Sequence, residues 1–439
     1  MAERKPDLIL KGGRVIDPAL GFGKEADIYV ADGKIIEILK SGGTPKNTTG
    51  LGTDAEVLDV SGMIVTPGLI DMHVHLREPG HEHKETILTG CRAAAAGGFT
   101  TVCCMPNTYP TIDNQETVQF VQGRAEKADA RVFVVGAVTK MLRGEELSEI
   151  GDLVKSGAVA ITDDGHFVQN PEIMRRALEY ARMFNIPIIS HAEDEFLCAG
   201  GVMNESFEGS RLGLKGRPAV AEEIAVLRDI KLSQFVGGRL HIAHVSTAGA
   251  VEAVRQAKSD GIAVTAEAAP HHFSLTDDAI GDAFNTNLRV NPPLRTRNDV
   301  EAVIKGLIDG TIDCIASDHA PHSEEEKEVE FDMAPPGMIG LETTLGLVKT
   351  NLIDKGYLSW ADAIRKMTIN PARVLKLPGG TLEENSAADI TVINPDLDWV
   401  VQKDKFRSKS KNSPFIGWKL SARVIYTILG GRVVYRLQS

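Results

Sequence analysis

Two kinds of hydrophobic pattern run along the chain. Residues 7–60 alternate apolar and polar positions in DLILKGGRVID, ADIYVADGKIIEI and EVLDVSG, with Gly and Asp-Gly between them. Period-two alternation broken by turn residues predicts short, half-buried strands. The same pattern returns near the other end, in ADITVINP and ARVIYTILGGRVVYRL. Chain termini often lie close together, so residues 1–63 and 386–439 are read as one small β-sandwich domain. Residues 64–385 differ. Their apolar runs are continuous and rich in Val, Ile and Ala: Ile64 to His75, Thr100 to Met105, Arg131 to Val138, Ala158 to Asp163, Pro187 to Ala192, Leu240 to Ser246, Ile262 to Ala268 and Ile312 to Ser317. Runs of this type suit parallel strands buried on both faces. Helical stretches such as PEIMRRALEYARMF and AEEIAVLRDIKLSQF separate several of them. Eight strands with intervening helices predict an α/β fold, a TIM-like (β/α)8 barrel, with a doubly wound open sheet as the alternative.

Polar residues sit where the apolar runs stop, and this favours the barrel. The first run ends in DMHVHLREPG, with His73 and His75; the second in MPNT, with Asn107; the fourth in TDDG, with Asp163 and Asp164. The fifth ends in SHAED, with His191; the sixth in AHVST, with His244; the eighth in SDHAPH, with Asp318 and His322. In a barrel these positions converge on one mouth. Imidazole and carboxylate are common zinc ligands, and residues two apart on a strand share a face, so His73 and His75 can bind one ion. Four imidazoles and two carboxylates exceed the three protein ligands of one catalytic zinc and suit two ions. Each residue alone has an ordinary reading: a hydrogen-bonded histidine, a turn at Asp163–Asp164, a helix cap at Asp318. All these readings would have to hold at several strand ends together. His81, His83, His166, His241, His271 and His319 keep the ordinary reading.

Composition narrows the partners. The net charge of −12 argues against nucleic acid and anionic membranes, and no apolar stretch reaches the ~20 residues that span a bilayer. The five cysteines form no CxxC pair, and the opening MAERKPDLILKGG carries no apolar leader, so a reduced, cytoplasmic setting is expected.

The run TPGLIDMHVHLREPG resembles the opening signature of the amidohydrolase superfamily, and HVHLREPG is most like the bacterial-type dihydroorotases. MPNT, TDDG, SHAED, AHVST, NPPLR, SDHAPH, PPGMIGLET, NPARVLKL and AADITVI follow in the family's order over nearly the whole chain. The resemblance implies two zinc ions: His73, His75 and Asp318 on one, His191 and His244 on the other, and Asp164 bridging. Asp164 is preferred to Asp163 for its family-like spacing to His191. It implies that Arg77 and Asn107 hold the carboxylate of a small substrate, with His75, Asn291, His322, Pro336 and Gly337 completing the pocket. The implied reaction is the reversible cyclisation of N-carbamoyl-L-aspartate to L-dihydroorotate in pyrimidine biosynthesis. A metal-activated hydroxide is the implied nucleophile and Asp318 the acid/base. Related hydantoinases bridge their metals with a carboxylated lysine, whereas AVAITDDGHFV here has none. The rivals are a hydantoinase or allantoinase, an inactive scaffold of aspartate transcarbamoylase, and a structural barrel. A homodimer and a complex with aspartate transcarbamoylase are left open. HSEEEKEVEFDMAPPG is read as a loop able to close over substrate, its EEEKE part as solvated surface.

Overall fold

The structure, a computed structural model, describes residues 5–40, 43 and 55–438. The opening tetrapeptide and most of 41–54, both within the expected β domain, lie outside the described residues. Eight parallel strands follow one another round the barrel: Leu69–Val74, Phe99–Cys104, Arg131–Ala137, Ala158–Thr162, Pro187–Ser190, Arg239–Ile242, Val264–Ala268 and Cys314–Ile315. The eighth meets the first beyond its own end. Val74 bridges His319 in parallel, and His75 N–H donates to His319 O at 2.8 Å. Asp71 helps close this seam, because its carboxylate accepts from the backbone N–H of Ser317 and of His73.

The runs are apolar throughout because both faces are covered. Leu69, Val102, Val134, Ile161, Ile188, Leu240, Ala266 and Ile315 belong to the core shared with the surrounding helices. Ile70, Met72, Cys103, Val135, Ala160, Ile189, Ala243 and Cys314 fill the barrel interior, where Ala372, Val374 and Leu375 join them. Filling the interior makes this a packed core rather than a pore and leaves its rim for chemistry.

The termini build one continuous eight-stranded sheet with a core of its own, including Leu10, Val15, Ile28, Val65, Ile390 and Ile428. The expected strand from Ile64 to His75 is in fact two. Ile64–Pro67 pairs within the terminal sheet, and Leu69–Val74 enters the barrel. Gly68 joins them, and a β-carbon there would lie 2.1 Å from Thr100 Oγ1. Close approach of two elements explains glycine at this junction.

The other terminal segment also divides. Ile390–Asn394, Arg423–Leu429 and Arg432–Arg436 stay in the sheet. The chain between them leaves it and crosses to the barrel mouth, where Val401, Phe406, Phe415 and Leu420 pack with Val202, Leu275, Phe331 and Met338. No helix among the described residues is long and apolar enough to cross a membrane.

Candidate active site

The six expected ligands converge at the mouth of the barrel, all 8% exposed or less. His73 Nε2 lies 3.3 Å from Asp164 Oδ1 and 3.7 Å from Asp318 Oδ1. His75 Nε2 lies 3.4 Å from Asp164 Oδ2 and 3.3 Å from Asp318 Oδ1. On the other side, His191 Nδ1 and His244 Nε2 each lie 3.5 Å from Asp164 Oδ1 and 2.9 Å from each other. A tetrahedral divalent ion with bonds of ~2.0–2.1 Å holds its donors roughly 3.3–3.4 Å apart. Most of these separations therefore match donors arranged around an ion. His73 with Asp164 and His244, and His73 with His75 and Asp318, are the two groups spaced to hold one. His73 Nε2 and Asp164 Oδ1 are buried with no hydrogen-bond partner. Buried polar atoms are seldom left so, and a cation between them would satisfy both.

The electrostatics agree. Burial opposes charge at Asp164, yet His73, His191 and His244 hold its carboxyl well below the usual range. Asp318 is likewise buried but held low by His75, His73 and His244. Burial also works against a charged His73, and Asp164 with Glu267 overcomes it and raises that imidazole well above its ordinary value. The carboxylates call for positive charge, which protons supply when no metal does.

Local structure aims these groups. Pairing of the first barrel strand with the second slips between Asp71 and Val74. Such irregularities re-aim side chains at barrel rims. Arg77, His244 and Asp318 have left-handed backbones, with φ of 63°, 31° and 48°. For residues other than glycine this costs on the order of 1–3 kcal/mol each and recurs at functional sites.

Asp163 does not join the cluster. It accepts from Thr139 N at 2.9 Å and from Thr139 Oγ1, tying down the loop after the third strand, and burial pushes its carboxyl up to about 6.

Beside the cluster is a polar wall. Arg77 is buried; its Nε donates to Pro321 O at 3.1 Å and its NH2 lies 3.3 Å from His322 Nε2. Burial lowers its pKa to about 10, so it stays cationic at neutral pH. Asn107 Oδ1 accepts from His75 Nδ1 at 2.8 Å, which leaves the amide NH2 free to face an anion. His322 Nε2 donates to Pro336 O at 3.0 Å. Gly337 N–H donates to Arg289 O and Gly337 O accepts from Asn412, so both its backbone groups serve the loop. Asn291 sits 3.0 Å from His191 Nε2, and Arg217 NH1 lies 2.5 Å from both Asn291 Oδ1 and Glu193 Oε2.

Sequence reasoning missed Glu267, Arg217 and Asn412. Glu267 had a signal: a charged residue inside the apolar run AVTAEAA must be paired if the strand is buried. Asn412 lies ninety residues beyond His322 and had none. His241 is structural as expected, its ring between Thr265 Oγ1 and Glu267. His83 and His166 are exposed. His271 is buried with Nε2 unpartnered, and burial lowers it to about 4.

A family model described as "Amidohydrolase family" matches residues 64–434. A dihydroorotase of Pelotomaculum thermopropionicum is 55% identical over 97% of this chain and 98% of its own. One of Syntrophotalea carbinolica is 52% identical over 98% and 99%. The chain belongs to the dihydroorotase branch of the amidohydrolase family. The solved L-hydantoinase (dihydropyrimidinase) of Arthrobacter aurescens superposes with a TM-score of 0.87 at 27% identity, over 99% of this chain and 97% of that one. A dihydropyrimidinase from Brevibacillus agri shares the fold, with a TM-score of 0.84 at 23% identity over 98% and 95%. For an amidohydrolase, His and Asp convergence at the barrel mouth is the expected metal centre.

Proposed function

We propose that this chain is a dihydroorotase, interconverting N-carbamoyl-L-aspartate with L-dihydroorotate and water on the route to UMP. The observation that carries the substrate is Arg77: a buried guanidinium close enough to Asp318 and Asp164 to interact with their charges, with His322 beside it. A planar cation suits a carboxylate, and a buried cation without an anionic partner is costly. The names borne by relatives above 50% identity support the same reading.

In this reading His73, His75 and Asp318 would hold one zinc ion and His191 and His244 a second, with Asp164 available to both. Bound zinc would polarise the amide carbonyl and activate water near neutral pH. The chain's own groups do the rest. Arg77 and Asn107, with Asn291 and His322 nearby, bind and orient the carboxylate. Asp318, unprotonated because its histidines hold it so, takes a proton from the attacking water and delivers it to the departing ring nitrogen. In the ring-closing direction it removes a proton from the ureido nitrogen. Pro336 and Gly337 shape the pocket beside His322. We place the enzyme in the cytoplasm, in keeping with its five buried free thiols. A homodimer and a complex with aspartate transcarbamoylase are the assemblies to test by sedimentation.

The competing reading is a hydantoinase or allantoinase, in keeping with the structural likeness to an L-hydantoinase. Neutral rings would offer the Arg77 fork no carboxylate to bind, leaving it only the charges of Asp318, Glu326 and Asp164. Turnover measured side by side on dihydroorotate, hydantoin and allantoin decides between them. Strong preference for dihydroorotate is the expected result, and preference for a neutral ring would overturn the assignment.

A further inference from the structure

One carboxylate inside the barrel touches three histidines. Glu267, in the seventh strand, is 1% exposed. Its Oε1 lies 2.6 Å from His73 Nδ1 and 3.4 Å from the backbone N of His244; its Oε2 lies 3.2 Å from His241 Nε2. His241 Nδ1 is in turn 2.8 Å from Thr265 Oγ1. We propose that Glu267 is a positioning residue shared by the two metal sites. This rests on the metal reading above and extends it to a group beyond the ligands.

The argument is one of proton count. A neutral imidazole has a single N–H. In the neutral ring that metal binding requires, Nδ1 of His73, 2.6 Å from a carboxylate, carries it, so Nε2 presents a lone pair. That Nε2 is the atom left buried without a partner, facing Asp164 and Asp318. Glu267 thus selects the tautomer able to bind metal and fixes the ring's direction. The other oxygen is held by His241, whose second nitrogen is free to accept from the Thr265 hydroxyl. Thr265 then donates to His241 and His241 to Glu267, while His73 donates to the other oxygen, so the carboxylate accepts from both sides. The contact with His244 reaches the second metal site through the backbone, at a residue whose left-handed φ of 31° needs support. An apolar side chain would fill the same space in a strand that is apolar but for Thr265. Burying a carboxylate there is favourable only because these donors surround it.

The test uses the full-length chain with zinc as the probe. Zinc affinity and stoichiometry are read by competition with a chromophoric chelator, and histidine N–H protons by NMR of 15N-histidine-labelled protein. For Glu267→Gln the affinity of both sites should fall ~10–100-fold, the usual effect of losing such a partner. The far-downfield His73 Nδ1 proton should disappear. His241→Gln should weaken zinc in the same direction but less, since Glu267 remains against His73. If Glu267→Gln does not fold, Glu267→Asp, which keeps the charge but shortens its reach, should give an intermediate loss. Wild-type zinc affinity and stoichiometry in a folded Glu267→Gln or Glu267→Asp protein would overturn the proposal. So would equal losses of thermal stability with and without zinc, the mark of a merely structural role. A wild-type chain that binds no zinc would instead overturn the metal reading, and this inference with it.

Discussion

Arg77 joins three properties that pull in different directions: a charge, burial and a left-handed backbone. Each is unfavourable alone, and binding an anion gives a common reason for all three. Arg77→Ala should raise KM for dihydroorotate by about 100-fold, in line with loss of a charged hydrogen bond, while changing hydantoin turnover much less. Equal losses on both substrates would remove its assigned role. Asp318→Asn should retain zinc in part and lower kcat by roughly 10²–10⁴-fold, the range expected when a proton-transfer group is removed. Near-normal kcat in a zinc-loaded variant would count against it. Gly337 has φ of 135°, and a β-carbon there would lie 2.8 Å from Ala320 Cβ and 3.2 Å from His322 Cδ2. Gly337→Ala should therefore destabilise the chain by about 1–3 kcal/mol and weaken substrate binding, read by denaturant titration and KM. At this scale the sequence was most readable where chemistry is written in residue type. His73, His75, His191, His244 and Asp318 stood out at strand ends, whereas Asp164 was preferred to Asp163 only through the family resemblance; it is Asp164 that lies against these histidines. Polar partners distant in sequence, such as Asn412 against His322, leave no local pattern.

Among the elements, the strands were legible because burial on both faces leaves a continuous apolar run. Their irregularities were not. The slip between Asp71 and Val74 and the break at Gly68 depend on which neighbour each residue meets. The segment after the eighth strand departs most from expectation. Glu324 and Glu325 are exposed, but Lys327 is buried and donates to Thr286 O at 2.9 Å and Pro335 O at 2.7 Å. EEEKE is therefore a short helix pinned by its lysine, not a wholly solvated surface. Burial, then Arg289 and Arg77, lowers Lys327 from 10.5 to about 7, with Glu326 opposing. Below about pH 7 the lysine is charged whether the chain is folded or not, and its burial penalty is full. Between about 7 and 10.5 the unfolded chain holds more protons, so this group's contribution to stability improves as pH rises. Lys327→Met should remove that rise, worth on the order of a few kcal/mol over the window. Parallel stability–pH curves for the two proteins would refute this.

Across the whole molecule, the barrel supplies the proposed metal ligands, while the chain's far end braces the loop that carries His322 and Gly337. Removing metal should show how far the first depends on its cation. Chelation should abolish turnover and lower the melting temperature, both restored by zinc, because a ligand bound only by the folded form stabilises it. A fully active metal-free protein would end the metal assignment. The carboxy-terminal crossing has another consequence. Asn412 accepts from His322 N–H and donates to Ala320 O and Gly337 O, while Ser408 and Lys409 are tied to Glu85. Order of synthesis therefore matters: all eight barrel strands leave the ribosome before the residues that hold the substrate wall in place. A nascent chain halted near residue 398 would hold every proposed metal ligand and still lack the Asn412 contacts that brace His322 and Gly337.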